Sequence, residues 1–170
     1  LEVESVSKIE KIKGGLKGLI IGEVMSCIPH PNADKLKLTQ VDVGSDDLIS
    51  IVCGAANISA GQKVAVAPVN CLIYPIKGEP FQIKKAKIRG EVSQGMICAE
   101  DEIGLGSSHE GIMVLTTDYA NGTPLNKIYE SEEDIVYEIG LTPNRGDATS
   151  HLGTARDLKA YFNRSLTLPV

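Results

Sequence analysis

Leu36-Lys37-Leu38-Thr39-Gln40-Val41-Asp42-Val43-Gly44-Ser45-Asp46-Asp47-Leu48-Ile49-Ser50-Ile51-Val52-Cys53 is the stretch that sets the fold class. Leu36, Leu38, Val41 and Val43 alternate with polar residues, the period of a strand with one buried face. The alternation slips once, at Thr39-Gln40, and the slip is read as a bulge. Gly44-Ser45-Asp46-Asp47 is a hairpin turn, and Leu48 to Cys53 is the returning strand.

The neighbouring sequence repeats this pattern. Upstream, Leu19 to Cys27 is apolar at its start and alternates later, as in a strand running from a barrel interior to its rim. Pro29-His30-Pro31-Asn32-Ala33-Asp34-Lys35 carries two prolines with Asn and Asp, and is expected to be irregular. Downstream come a small-residue loop at Gly54–Ile58, a strand at Lys63–Val69 ended or edged by Pro68, and a turn region at Tyr74–Pro80. Met96–Cys98 is a buried run, Ala99–Gly104 one helical turn closed by glycine, and Gly111–Leu115 a last short strand. Residues 16–126 therefore read as five or six short strands joined by Gly/Pro turns. That pattern fits a small barrel of the oligonucleotide/oligosaccharide-binding (OB) type.

The flanks read differently. Leu1 to Val6 and Asp134 to Ile139 are strand-like and can pair with each other. Ala148, Leu152, Ala155, Leu158 and Phe162 recur at helical spacing, predicting a helix from about Asp147 to Phe162, capped by Asp147 or Thr149. The expected organisation is mainly β with an α+β part. Residues 1–15 plus 127–170 form a small discontinuous α+β domain, and the barrel of residues 16–126 is inserted into it. Arg145, in the Thr142–Asp147 loop, either anchors that loop on an acid or faces a partner.

The chain has 170 residues, 42% of them apolar, and net charge -5. It is not a general polyanion binder, so any nucleic-acid contact must come from a local patch. The barrel segment itself is acidic, with 9 basic and 12 acidic residues in 16–125, net -3. Four of those nine cations fall in Lys84-Lys85-Ala86-Lys87-Ile88-Arg89, ahead of Gly90 and Ser93-Gln94-Gly95-Met96. Ala86 and Ile88 alternate with Lys85, Lys87 and Arg89, which reads as a strand with one buried and one basic face. Such a strand beside a polar loop suits a phosphate backbone. The same pattern also describes a solvated strand whose edge lysines discourage aggregation. The barrel segment contains only Tyr74, Phe81 and Tyr119 as aromatics, so phosphate and shape contacts are expected rather than base stacking.

Catalytic and metal signals are thin. Ser108-His109 and Ser150-His151 are sequence neighbours, which does not make a nucleophile and base meet in space. Gly104-Leu105-Gly106-Ser107-Ser108 lacks the rest of a phosphate-loop pattern. Cys27-Ile28-Pro29-His30 has a CxxH spacing with no second pair, so no metal site is expected, and the acidic run Glu130, Glu132, Glu133, Asp134, Glu138 reads as a solvated edge. Four dispersed cysteines read as buried, reduced thiols of a cytoplasmic protein. There is no signal-peptide pattern and no apolar run long enough for a membrane span.

Three motifs carry a resemblance. His30-Pro31-Asn32-Ala33-Asp34-Lys35-Leu36, Ile51-Val52-Cys53-Gly54-Ala55-Ala56-Asn57, and Lys84 to Gly90 with Ser93-Gln94-Gly95-Met96 resemble the tRNA-binding OB domain found in several synthetases and tRNA-binding cofactors. With Leu141-Thr142-Pro143-Asn144-Arg145-Gly146-Asp147 and Gly153-Thr154-Ala155-Arg156-Asp157-Leu158, nearly the whole chain is similar to the N-terminal part of bacterial phenylalanyl-tRNA synthetase beta subunits. The resemblance implies a non-catalytic piece of an ATP-dependent ligase. It implies tRNA as partner, and a catalytic alpha subunit and the remainder of the beta subunit in a heterotetramer. ATP and Mg belong to the parent enzyme, with no cofactor in these residues. The RNA-binding residues it implies are Asn32, Lys35, Lys84, Lys85, Lys87, Arg89, Ser93 and Gln94. The small residues of Ser93–Met96 have a second reading, as closure of the barrel. The rival expectation for the whole chain is a structural or assembly module of the synthetase with no direct tRNA contact.

Overall fold

The computed structural model describes residues 1–129 and 133–168. Its strands are β1 (Glu2–Glu10), β2 (Ile20–His30), β3 (Ala33–Asp42), β4 (Ile49–Cys53), β5 (Lys63–Pro68), β6 (Leu72–Ile73), β7 (Phe81–Gln82), β8 (Ala86–Ile88), β9 (Glu91–Ser93), β10 (Gly95–Ile97), β11 (Val114–Leu115) and β12 (Glu133–Gly140), followed by helix α1 (His151–Phe162). The chain divides into two units, Leu1–Ile9 with Glu133–Val170, and Glu10–Glu132.

In the larger unit the strands run in the order β10-β5-β2-β3-β4, all neighbours antiparallel, with β11 on the other end of β5. The β5 sequence is apolar at successive positions because the strand is buried on both faces. Val64 and Val66 join Val24, Val41, Ile51, Ile58, Ile97 and Ile112 inside the barrel. Ala65 and Ala67 face a second core with Leu16, Leu19, Ile21, Ile73, Ile103, Leu115 and Leu125.

The two ends of the sheet meet through side chains as well as backbone. The Gln94 N–H donates to the Ser50 carbonyl at 2.8 Å, the Val52 N–H to Ser93 Oγ at 3.1 Å, and the Ser93 hydroxyl to the Gly95 carbonyl at 3.0 Å. The exposed edge of β4 is thereby satisfied, and the sheet becomes a nearly closed five-strand antiparallel barrel of the OB type. Closure brings backbones close together. A Cβ on Gly22 would stand 2.6 Å from Val66 Cγ2 and 2.8 Å from Val41 Cγ1.

Several sequence expectations are corrected. Strand β2 does not stop before Pro29 but runs on to His30, and β3 begins at Ala33. Pro29 is tolerated because β5 pairs with β2 only over Ile20–Glu23, and the register shifts between Pro29 and His30. The slip at Thr39-Gln40 is not a bulge in β3. Thr39 occupies an inward position at 1% exposure, its hydroxyl donating to the Ile51 carbonyl at 2.9 Å. The extra residue lies opposite, at Met25 of β2, between the pairs Val24↔Val41 and Ser26↔Gln40. The basic stretch has no buried face: Ala86 is exposed and Ile88 half-buried. Its strand β8 is three residues long and pairs only with β9.

In the smaller unit β1 pairs with β12, joined by Ser5 Oγ donating to Glu138 at 2.9 Å and by a Lys8–Glu133 ion pair at 2.7 Å. Glu130 and Glu132 of the acidic run lie outside the described residues. Helix α1 starts later than the apolar spacing predicts. Ser150 is its N-cap, accepting from the Gly153 N–H, because Asp147 and Thr149 belong to the preceding 3-10 turn. Asp147 instead holds Arg145 in a two-bond pair, and Asp157 accepts from the same guanidinium at 2.9 Å. These carboxylates push the Arg145 pKa further up, so the loop is anchored internally.

Two substitutions test this construction. Gly22→Ala is expected to cost about 1–3 kcal/mol in urea unfolding through overpacking. Ser93→Ala should cost about the same, since it leaves the Val52 N–H and the Gly95 carbonyl without their partner. An unchanged unfolding midpoint for Ser93→Ala would remove the closure role.

Candidate nucleic-acid interface

The β8–β9 hairpin turns at Arg89 and Gly90, whose φ values are +52° and +105°. Two successive positive φ angles match the tight turn that follows strand twist, with glycine carrying the more demanding position. The turn leaves Lys84, Lys85, Lys87 and Arg89 all exposed. Next to it, Asn32 of the β2–β3 turn and Lys35 at the start of β3 are exposed as well. The two turns lie side by side: a Cβ on Gly90 would be 4.0 Å from Asn32 Nδ2. Asn32 and Arg89 are therefore carried on two adjoining turns, with Lys35 on β3 just past one, Lys87 on β8 just before the other, and Lys84 and Lys85 leading into the hairpin.

Among the described residues, none of these five cations takes part in an ion pair. Two other lysines of the barrel bond to backbone carbonyls. Lys37 Nζ donates to the carbonyls of Ala56 and Ile58 at 3.1 and 2.9 Å, and Lys63 Nζ to that of Tyr119 at 2.6 Å. Those cations hold loops, whereas the hairpin cations face water and repel one another. Such an arrangement is relieved by an anion with repeated charges. Beside the hairpin, a groove of about 170 Å³ lies between Gln40 and Ser50 on one wall and Gly90, Glu91 and Val92 on the other.

Ser93 and Gln94 lie at the barrel seam below these turns, Gln94 half-buried. Ser93 is 4% exposed, with its hydroxyl engaged on both sides, and the Gln94 side chain accepts from the Ser50 N–H at 3.3 Å. Both close the barrel beneath the hairpin, since a short polar side chain at a sheet seam is drawn to the unpaired edge groups.

Sequence reading missed His30. Its ring is buried, with Nδ1 accepting from the Asn32 N–H at 3.0 Å and Nε2 lying 3.3 Å from the Ile88 carbonyl. The available signal was the Pro-Asn turn directly after it, where a ring acceptor can take the N–H two residues on. Asn57 was also missed. It clamps Ile112 by accepting from its N–H at 3.0 Å and donating to its carbonyl at 2.9 Å.

Neither Ser-His neighbour pair forms a nucleophile and base. His109 Nδ1 pairs with Asp101 at 3.0 Å, which raises the imidazole pKa, while Ser108 Oγ accepts from the Glu110 N–H. No cluster of metal-ligating side chains occurs among the described residues. Burial raises the thiol pKa of Cys53, Cys71 and Cys98, so these groups pack rather than react. No described helix is long and apolar enough to cross a membrane.

Several known proteins resemble this chain. Residues 19–124 match the family model described as a putative tRNA binding domain. The phenylalanine–tRNA ligase beta subunit of Bacteroides fragilis is 53% identical over 95% of this chain and 20% of its own length. That of Porphyromonas gingivalis is 53% identical over 97% and 20%, and that of Dickeya dadantii 45% over 99% and 20%. The chain thus spans about a fifth of the length of these curated relatives. Of solved structures, the MetRS related protein from Pyrococcus horikoshii aligns over 63% of this chain and 87% of its own, at 22% identity and a TM-score of 0.46. With its barrel matched from Leu19 to Pro124, the chain belongs to the putative tRNA-binding domain family.

Proposed function

We propose that this chain binds tRNA through the β8–β9 hairpin and the β2–β3 turn, as the front part of a phenylalanine–tRNA ligase beta subunit. The observation that carries the reading is the group of exposed cations without ion pairs at one end of an otherwise acidic barrel. Lys35, Lys84, Lys85, Lys87 and Arg89 contact phosphates, and Asn32 offers an amide to the same backbone. Ser93 and Gln94 hold the hairpin from below. In this reading residues 16–126 are the RNA-contacting domain, and residues 1–15 with 127–170 a separate small one. The chain contributes no catalytic centre and no cofactor. ATP and Mg act elsewhere in the cytoplasmic ligase, which the alpha subunit and the rest of the beta subunit complete.

None of the residues proposed to contact RNA is aromatic, so affinity comes from charge and shape and is sensitive to salt. If the four cations of residues 84–89 each meet one phosphate, the slope of log affinity on log salt is about -3. Affinity then falls roughly fifty-fold between about 50 and 200 mM salt.

A second reading is favoured by one observation. The smaller unit leaves Val3, Val6, Ile9, Ile135, Tyr137, Leu158 and Phe162 exposed, as a surface made to be covered by protein would. In that reading the chain is an assembly module of the synthetase without direct tRNA contact. Fluorescence anisotropy with tRNA separates the two, using the wild-type chain and a variant with Lys84, Lys85, Lys87 and Arg89 all changed to Ala. The first reading expects salt-dependent binding that the variant loses. No binding by either protein at low salt would favour the second, and equal binding by both would take the contact away from the basic hairpin.

A further inference from the structure

His30 links two turns that lie far apart in sequence. It is the last residue of β2 and is 5% exposed. A backbone N–H can only donate, so Nδ1, facing the Asn32 N–H at 3.0 Å, is an acceptor without a proton. A carbonyl can only accept, so Nε2, 3.3 Å from the Ile88 oxygen, carries the hydrogen. The two contacts thus assign the neutral Nε2–H tautomer. One ring holds the turn bearing Asn32, which leads into Lys35 of β3, and with the other nitrogen holds the residue just before Arg89.

The hairpin needs such a hold. Its strands are three residues each, and a two-stranded hairpin of that length is not stable alone. At its base Ser93 ties it to β4 through the Val52 N–H. Near its turn, His30 Nε2 reaches the Ile88 carbonyl from β2 at 3.3 Å. Lys87 and Arg89 flank Ile88, so the position of both charges depends on that bond.

We infer that His30 is a positioning residue for RNA binding: it locks the β2–β3 turn to the basic hairpin so that both meet one phosphate backbone as a single preorganised surface. This rests on RNA contact at the basic hairpin. Cations held in register lose less freedom on binding than cations on a loose hairpin, which raises affinity without any contact between His30 and RNA.

The test exploits the different reach of two amide side chains. In His30→Gln the Nε2 amide stands where the imidazole Nε2–H was and can donate to the Ile88 carbonyl. In His30→Asn the Oδ1 stands where Nδ1 was, keeping the Asn32 turn but not the link to the hairpin. Two readouts are taken on the 170-residue chain. One is hydrogen exchange of the β8–β9 amides, and the other is the salt slope of binding to unfractionated tRNA. His30→Gln, which keeps the hairpin link but leaves the Asn32 N–H without its acceptor, is expected to keep wild-type hairpin protection and most of the slope. His30→Asn should exchange its hairpin amides faster, bind roughly tenfold more weakly at low salt, and show a slope shallower by about one, as Lys87 and Arg89 stop acting with the rest. Wild-type protection and slope in His30→Asn would overturn the inference, as would equal losses in both variants. Absence of salt-dependent binding by the wild-type chain would refute the RNA-binding reading on which the inference rests. Hairpin exchange that distinguishes the two variants would still show the latch itself.

Discussion

The seam between β4 and the β9–β10 segment is the contact on which the rest of the barrel depends. A five-strand sheet with an open edge would expose the N–H and carbonyl groups of β4 and invite pairing with other chains. Here the Ser93 hydroxyl and the Gln94 backbone and side chain occupy that edge, supplying the groups a sixth strand would have supplied. Closure also fixes where the following parts go. Because β9 is held against β4 at Ser93, the β8–β9 hairpin emerges from the seam, and its cations emerge with it.

Charge is distributed in keeping with that arrangement. The barrel segment is net acidic, yet four of its nine cations fall in residues 84–89, whereas Lys37 and Lys63 are engaged by loop carbonyls. Local concentration, rather than overall charge, makes a polyanion-binding surface. The small α+β unit has a different character: its helix and strand pair leave apolar side chains exposed around a groove of about 670 Å³ lined by Ile135, Tyr137, Leu141 and Leu158.

Much of this was legible from the residues, and the failures have physical causes. The alternation from Leu36 to Cys53 and the continuous apolar run of β5 gave the β character, since both patterns follow from which faces are buried. Thr39 misled because a buried hydroxyl that donates to the Ile51 carbonyl fits an inward position as well as valine does. Ala86 and Ile88 misled because alternation predicts a buried face only where a second layer exists to bury it, and none covers β8. Ser150 was overlooked as a cap because Asp147 and Thr149 are equally good capping residues by type, and the Arg145 pair that occupies Asp147 is tertiary. At the candidate interface the cations were legible from composition. The roles of Ser93 and His30 were not, because each depends on a partner about forty to sixty residues away.

The most direct measurement of the central claim is a residue-resolved NMR titration of the chain with tRNA, following backbone amides at low and moderate salt. The account predicts that perturbations concentrate at residues 31–35 and 84–91, fade as salt rises, and leave the amides of β12 and α1 unmoved. Perturbations centred on β1, β12 and α1, or spread evenly over the acidic barrel, would contradict it.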